Sequence, residues 1–306
     1  MVLSLCEGSK EMTVFKMKWV MCEEDAGLTI KAFLKEHDIS KTALTDIKFS
    51  GGSIIVNNKE ENVRYILKSG DVLKVYFPQE KRSEGMIGEN IPLNIVYEDE
   101  YVLVVNKPAG MSSIPSREHP TGSLANAIIG YFETIKLAAT VHIVTRLDKD
   151  TSGLVLIAKH RHVHHLFSKL QQQSSVQRKY IAFAEGTLLD DQGVIEKPIA
   201  RMPDSIIQRE VNAAGKYACT HFLVLKRTGL FTVVQLKLET GRTHQIRVHL
   251  SSIGHPLIGD DLYGGSLELL QRQALHCNQL SFYHPFLKKL IELKQSLPED
   301  MGQLLP

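Results

Sequence analysis

Apolar residues in the first quarter of the chain come in short runs of differing spacing, and the spacing predicts a small mixed unit. Residues 14–22 read as a strand. Over residues 26–37 the positions Leu28, Ile30, Phe33 and Leu34 give one apolar face of an amphipathic helix. Ser40 sits where a hydroxyl can cap a second helix running to about residue 48, and Gly51-Gly52 ends it. Residues 53–57 form a strand with Asn57-Asn58 turning after it. Residues 65–67 and 72–77 complete the unit around the Ser69-Gly70-Asp71 turn. Residues 1–11 read as a loose start. Residues 78–90 are polar, hold Gly85 and Gly88 and show no period, which is the pattern of a linker.

Past the linker the runs lengthen. Residues 95–97 and 101–106 read as strands, 111–122 as a loop and 124–132 as a helix capped by Ser123. The chain is organised around VHIVTRLDKDTSGLVLIAK, residues 141–159. Val141, Ile143 and Val144 lead into a charged turn carrying Arg146, Asp148, Lys149 and Asp150. After Gly153 the residues 154–158 are all apolar, so they read as a strand buried on both faces. Arg146 and Asp148 are two apart and share a face of an extended segment. A carboxylate beside a guanidinium at the mouth of a buried strand stays ionised, as a nucleophile or a base requires. The same residues also suit a salt-bridged turn.

Downstream, residues 160–173 predict a helix holding His160, His162, His164 and His165. His160 and His164 share a face, but no Glu or Cys stands at a useful spacing, so these histidines are expected on a polar face or capping the helix rather than on a metal. Residues 180–186 predict a strand, 187–216 hairpins and a loop, and 218–226 with 231–239 a strand pair. Residues 243–253 read as a charged turn that becomes a helix, 267–272 as a short helix, 275–283 as a strand, and the tail from residue 287 as an amphipathic helix. Residues 259–265 are Gly-rich but lack the P-loop pattern.

Composition narrows the class. The 306 residues suffice for two domains. Hydrophobic content of 43% and charged content of 23% fit a soluble globular protein, and no apolar run is long enough to span a bilayer. Residues 2–6 are too short for a signal-peptide core. Cys6, Cys22, Cys219 and Cys277 form no C-x-x-C, so no zinc knuckle or redox pair is read and a reduced, cytoplasmic setting is expected. Net charge is only +2, yet Arg146, Lys149, Lys159, Arg161, Lys169, Arg178 and Lys179 crowd into one short span. Clustered base is the footprint of a phosphate-lined partner.

RLDKDTSGLVLIAK (146–159) resembles the signature loop of the RluA-type pseudouridine synthases. RKYIAFAEG (178–186), GRTHQIRVHLSSIGHPLIGDDLYG (241–264) and ALHCNQLSFYHP (274–285) match the other blocks of that family, in its order. Lys107-Pro108-Ala109-Gly110 matches its Lys-Pro-x-Gly. Four ordered blocks are far more specific than one motif. The resemblance covers about residues 91–290. Residues 1–80, closing on KSGDVLKVYF, more weakly resemble the S4-like RNA-binding domain. There Ser40-Lys41-Thr42 stands in place of a basic Ser-Arg-Ser, and Val56-Asn57-Asn58 in place of Val-Asn-Gly.

The resemblance implies an α+β fold: a catalytic domain with a mixed, mainly antiparallel sheet over residues 91–306, behind an S4-like domain (1–80) and a linker (81–90). It implies isomerisation of uridine in structured RNA, ribosomal or transfer, by a single chain without metal or organic cofactor. The bond from ribose C1′ to the ring nitrogen breaks, the uracil turns in the site, and C1′ rejoins at ring carbon 5. Asp148 is the implied catalytic carboxylate, acting at C1′ or on the C2′ proton. Arg247 would pair with it bidentately, and Tyr180 would stack on the base with its hydroxyl a candidate proton-transfer group. Arg146 would contact the RNA and help hold the flipped-out site open, Leu275 would lie on the other side of the uracil from Tyr180, and Arg242, His244 and Gln245 would support the loop or phosphates. One departure stands out: the family's usual His-Arg-Leu-Asp begins here with Thr145. A catalytically inactive RNA-binding protein of the same fold need not keep Asp148, Tyr180 and Arg247 together. A carboxylate-dependent hydrolase would need a second acid or base beside Asp148, where Asp150 is the nearby candidate.

Overall fold

Two capped helices organise the N-terminal unit of the computed structural model, which describes residues 14–82, 85–116 and 119–305. The Thr29 hydroxyl accepts from Ala32 N–H (3.2 Å) at the head of helix Ile30–Glu36. Ser40 accepts from Ala43 N–H (3.1 Å) at the head of Lys41–Phe49. Ile30, Phe33, Leu34 and Ile47 are buried against a four-stranded sheet ordered Lys16–Val20, Val72–Tyr76, Ser53–Val56, Lys59–Glu60. The first helix starts later than its apolar pattern suggests, because Asp25 accepts from Cys22 N–H (2.9 Å) and holds a turn there. The expected loose start, residues 1–11, lies outside the described residues.

The rest of the chain builds a ten-stranded sheet. Its path runs Gln192–Glu196, Cys219–Arg227, Phe231–Leu238, Val176–Glu185, Leu275–His284, Ser152–Ala158, Val102–Lys107, Ile95–Glu98. Lys289–Lys294 pairs beside Leu275–His284, and His142–Ile143 beside Ser152–Ala158. Among the described residues the parallel pairing in this sheet is that of Leu275–His284 with Ser152–Ala158, at its centre. There Gly153, at φ 117°, lies so close to Cys277 that a Cβ would stand 2.3 Å from the Cys277 carbonyl oxygen, so a glycine is required. Ser152–Ala158 is buried at every position, as its unbroken apolar run predicts. Phe132 from helix Leu124–Thr134 and Phe167 from helix Arg161–Gln172 join the same core.

Three sequence expectations change. Residues 267–272 form no helix: the Arg272 guanidinium is drawn out to Asp300 (2.7 and 2.8 Å), and Gly259 N–H bonds the Ser266 carbonyl (2.8 Å). The tail after residue 287 is strand Lys289–Lys294 followed by the single turn Glu299–Gly302, not an amphipathic helix. Its apolar spacing satisfies either period, and the open edge of Leu275–His284 decides between them.

Nor are residues 78–90 a free linker. The Glu80 side chain, 1% exposed, accepts from Arg161 N–H (2.7 Å) and Thr140 N–H (3.1 Å) and bonds His142 Nε2 (2.8 Å). Glu89 accepts from Gly122 N–H (2.6 Å), and Asn126 donates to the Ile87 carbonyl (2.9 Å). Single carboxylates and backbone groups make these contacts, so no apolar period betrays them. Among the described residues no helix is long and apolar enough to cross a membrane.

Candidate active site

The loop that carries Asp148 is held from behind at several points. Thr145 is buried, and its hydroxyl accepts from Leu156 N–H (2.9 Å), so the departure from the family pattern ties the loop to the central strand. Ser113 donates to the Leu147 carbonyl (2.6 Å) and accepts from Leu147 N–H (3.2 Å). Lys107, 1% exposed, donates to the carbonyls of Pro108 (2.8 Å), Met111 (2.8 Å) and Lys149 (3.0 Å). Burial pushes the Lys107 ammonium down to about 8, against the opposing pull of the Asp150 and Asp148 carboxylates. Arg272 donates to the Asp150 carbonyl (3.2 Å). Held in this way, the loop leaves Arg146 exposed and Asp148 half-buried at the edge of a cleft. Among the described residues Arg146 and Asp148 form no ion pair, so the salt-bridged turn is not what forms.

Helix Gln245–Ser251 faces that loop. His244 precedes it in the left-handed region (φ 56°), with Nδ1 2.8 Å from the Tyr263 hydroxyl and Nε2 3.9 Å from Asp148 Oδ2. Arg247 Nη1 lies 3.7 Å from Asp148 Oδ2. The bidentate partner of Arg247 is nevertheless Asp260, which receives Nε and Nη2 at 2.7 and 2.6 Å. This corrects the expected two-pronged Asp148–Arg247 pair. A guanidinium only 7% exposed requires a buried countercharge, and Asp260, 1% exposed, supplies it. Burial alone would lower the Arg247 pKa, and the Asp260 hydrogen bond together with the Asp260 and Asp148 charges outweighs this, so the cation is held above its ordinary range.

Tyr180 and Leu275 come from adjoining strands. Tyr180 is opposite Cys277 and Leu275 opposite Ala182, so the two are diagonal neighbours on one face and form an apolar floor. Burial pushes the Tyr180 phenol above its ordinary value, and Arg178 Nη1 donates to its oxygen (3.3 Å). Gln245 differs from expectation. Its Oε1 accepts from Thr240 (2.8 Å) and Arg242 N–H (2.9 Å), while Nε2 donates to the Cys219 carbonyl and the Thr220 hydroxyl (3.0 Å each). With both ends used, Gln245 shapes the 240–245 turn and offers no free group to a ligand.

All eight residues singled out from the sequence line one cleft of about 1060 Å³: Asp148, Tyr180, Arg247, Arg146, Leu275, Arg242, His244 and Gln245. Arg178, Lys149 and Lys237 join them on its walls. The basic span divides. Lys159, Arg161 and Lys169 pair with Glu98, Asp46 and Asp38, whereas Arg146, Lys149 and Arg178 face the cleft. Glu239 is a second acid on the lining, not foreseen, and it is paired with His221 (2.6 Å). The histidines of helix Arg161–Gln172 hold no metal-like arrangement among the described residues. His160 Nδ1 accepts from His162 N–H (3.1 Å) as the cap, and His162 is buried against Phe77. Sequence reasoning missed Lys107 and Asp260 as site residues. An acid following the apolar Leu257-Ile258 after a single glycine, Gly259, was the available signal for the second.

A mainly antiparallel mixed sheet with one carboxylate loop set over an aromatic floor is the architecture of a pseudouridine synthase, and the chain belongs to that family, in its RluA-type branch. Residues 101–252 match the family model described as RNA pseudouridylate synthase. The chain is 51% identical over 278 residues to RNA pseudouridine synthase YjbO of Bacillus subtilis, covering 91% of this chain and 98% of that one. It is 40% identical over 232 residues to ribosomal large subunit pseudouridine synthase D of Haemophilus ducreyi, covering 71% of each. The solved structure of human RNA pseudouridylate synthase domain containing 1 shares the fold, with a TM-score of 0.57 and 24% identity over 68% of this chain and 85% of that one. The chain is therefore an isomerase that converts uridine to pseudouridine in RNA.

Proposed function

We propose that Asp148 is the carboxylate that engages the ribose of the target uridine, and that the RNA is that of the large ribosomal subunit. The observation that carries the first part is the half-buried Asp148 carboxylate with Arg247 Nη1 at 3.7 Å, above the floor made by Tyr180 and Leu275. Asp260 takes the other two nitrogens of Arg247, so the cation beside Asp148 is fixed in place. The arrangement serves attack at C1′ and removal of the C2′ proton alike, since both need a fixed, anionic group. Once detached, the uracil lies over Tyr180 and Leu275, side by side beneath it rather than on its two faces, and this floor excludes water from below while it turns. Arg146, Lys149, Arg178 and Arg242 supply charge for phosphates, and His244 approaches the same Asp148 oxygen as Arg247 and helps to hold the carboxylate. The ribosomal assignment is supported by the name of the Haemophilus ducreyi relative. Residues 14–80 act as the S4-like RNA-binding unit, and the protein works as a single chain in the cytoplasm.

Asp148→Asn is near-isosteric, so fold and RNA binding should persist while isomerisation stops. Tritium release from RNA labelled at uridine ring carbon 5 measures this, and substantial turnover by the variant would remove Asp148 from the chemistry. Mapping pseudouridine in total RNA with and without the gene separates ribosomal from transfer RNA.

A further inference from the structure

At the rim of the cleft, strands Cys219–Arg227 and Phe231–Leu238 bring together three side chains that the isomerisation leaves without a role. Cys219 and His221 are two apart on one strand and share a face. Glu239 N–H donates to the Cys219 carbonyl (3.2 Å), which sets the first residue beyond the neighbouring strand beside them. His221 Nε2 lies 3.7 Å from Cys219 Sγ and 2.6 Å from Glu239 Oε1, and the three possible ligand atoms all lie within 4.8 Å of one another. A tetrahedral zinc ion bound at about 2.3 Å to sulfur and about 2.1 Å to nitrogen places those two atoms roughly 3.6 Å apart. The sulfur–nitrogen separation thus already suits a shared ion. Glu196, in register opposite Cys219 on the next strand, puts another carboxylate on that face.

We propose that Cys219, His221 and Glu239 form a binding site for a zinc-class transition-metal ion. Thiolate with imidazole selects this class over magnesium and calcium, which prefer all-oxygen ligands. On binding, the Cys219 thiol releases its proton to solvent, the ion replaces the His221–Glu239 hydrogen bond, and water fills the fourth position. The site is structural rather than catalytic. Cys219 N–H donates to Thr240 Oγ1 (3.0 Å) and its carbonyl accepts from Gln245, so an ion here ties together the strand ends from which the turn carrying Arg242 and His244 projects. Linear spacing hides the set, because a Cys-x-His pair on one strand is completed by a residue next to its neighbour. Its assignment therefore departs from the sequence reading of no metal ligands.

Cobalt reports on such a site directly. The full-length protein, stripped with chelator, is titrated with Co²⁺ and then with Zn²⁺. A single equivalent should produce a thiolate-to-cobalt charge-transfer band with tetrahedral ligand-field bands, displaced by Zn²⁺, and Zn²⁺ should raise the melting temperature. Cys219→Ser should abolish the charge-transfer band. His221→Asn, at a half-exposed position that can be changed without opening the core, should weaken binding by more than about 100-fold, since even outer-shell losses cost about 10–100-fold. Absence of the band from folded wild-type protein, its persistence in Cys219→Ser, or unchanged affinity in His221→Asn would overturn the site.

Discussion

Asp148 depends on residues that never reach the substrate, and Asp260 is the clearest of them. Asp260→Asn keeps the shape but leaves the buried Arg247 cation without its counterion. Breaking such a pair typically costs about 3–5 kcal/mol. The variant should melt at lower temperature and lose turnover more than RNA affinity. Thermal melts beside single-turnover rates test this, and normal turnover in a folded variant would show that Arg247 holds its place without Asp260. Tyr180→Phe isolates the hydroxyl: stacking is kept, and binding should stay close to wild type. If the phenol moves a proton, turnover should drop by roughly 10²–10⁴-fold, the usual reach of such a group. Unchanged turnover would make Tyr180 a platform only. The eight residues singled out from the sequence lie in family blocks and all line the cleft, but the sequence could not reveal who pairs with whom. Arg247 chose Asp260 over Asp148 for reasons of burial, and burial is a property of the folded chain.

Among the elements, the carboxylate loop is notable for being braced by a buried ammonium. Lys107 ends strand Val102–Lys107 and reaches across to the Lys149 carbonyl, so the position of Asp148 is linked to a neighbouring strand. Lys107→Met preserves length and removes the donors, and a buried acceptor left unmet costs about 1–3 kcal/mol. The loop should loosen: kcat should fall while RNA affinity changes little, and the variant should melt earlier. Equal losses of kcat and affinity would mean that Lys107 acts on the whole cleft. Burial holds Lys107 at about 8, below its unfolded value of about 10.4, so the unfolded chain binds the extra proton between those limits. This group's contribution to stability therefore rises with pH across that window. Strongly patterned elements were legible, Ser152–Ala158 above all. Residues 287–294 were not, because their apolar spacing fits helix and strand alike and only the free edge of Leu275–His284 settles it.

In the whole molecule the N-terminal unit is docked, not tethered, and this alters what its removal should do. Phe15 stacks on the His160 ring (centroids 4.2 Å apart) and Phe77 on His162 (5.5 Å). Arg161 pairs with Asp46 at 2.8 Å. At the seam, burial alone would raise the Glu80 carboxyl, but its His142 hydrogen bond and the neighbouring charges outweigh that and hold it at about 2. Depression below the unfolded carboxylate value of about 4.3 means that Glu80 stabilises the fold fully above that pH, and the contribution is lost as pH falls towards 2. Residues 14–77 and the catalytic sheet have separate hydrophobic clusters, with Phe15 touching both, so each part has a core of its own. Deleting residues 1–76 keeps Phe77 and Glu80 and should leave a folded enzyme with much of its kcat and a raised KM on long structured RNA. Deleting residues 1–80 also removes the carboxylate that satisfies Arg161 N–H and Thr140 N–H, and should lower the melting temperature well below that of the shorter deletion. Glu80→Gln in the full chain should reproduce that loss of stability without removing any RNA contact, leaving KM near wild type. Steady-state kinetics at one salt concentration, with melts of all three proteins, separate the two roles. Equal melting temperatures for the two deletions would show that Glu80 does not hold the seam, and an unchanged KM after the shorter deletion would show that the N-terminal unit does not grip the substrate.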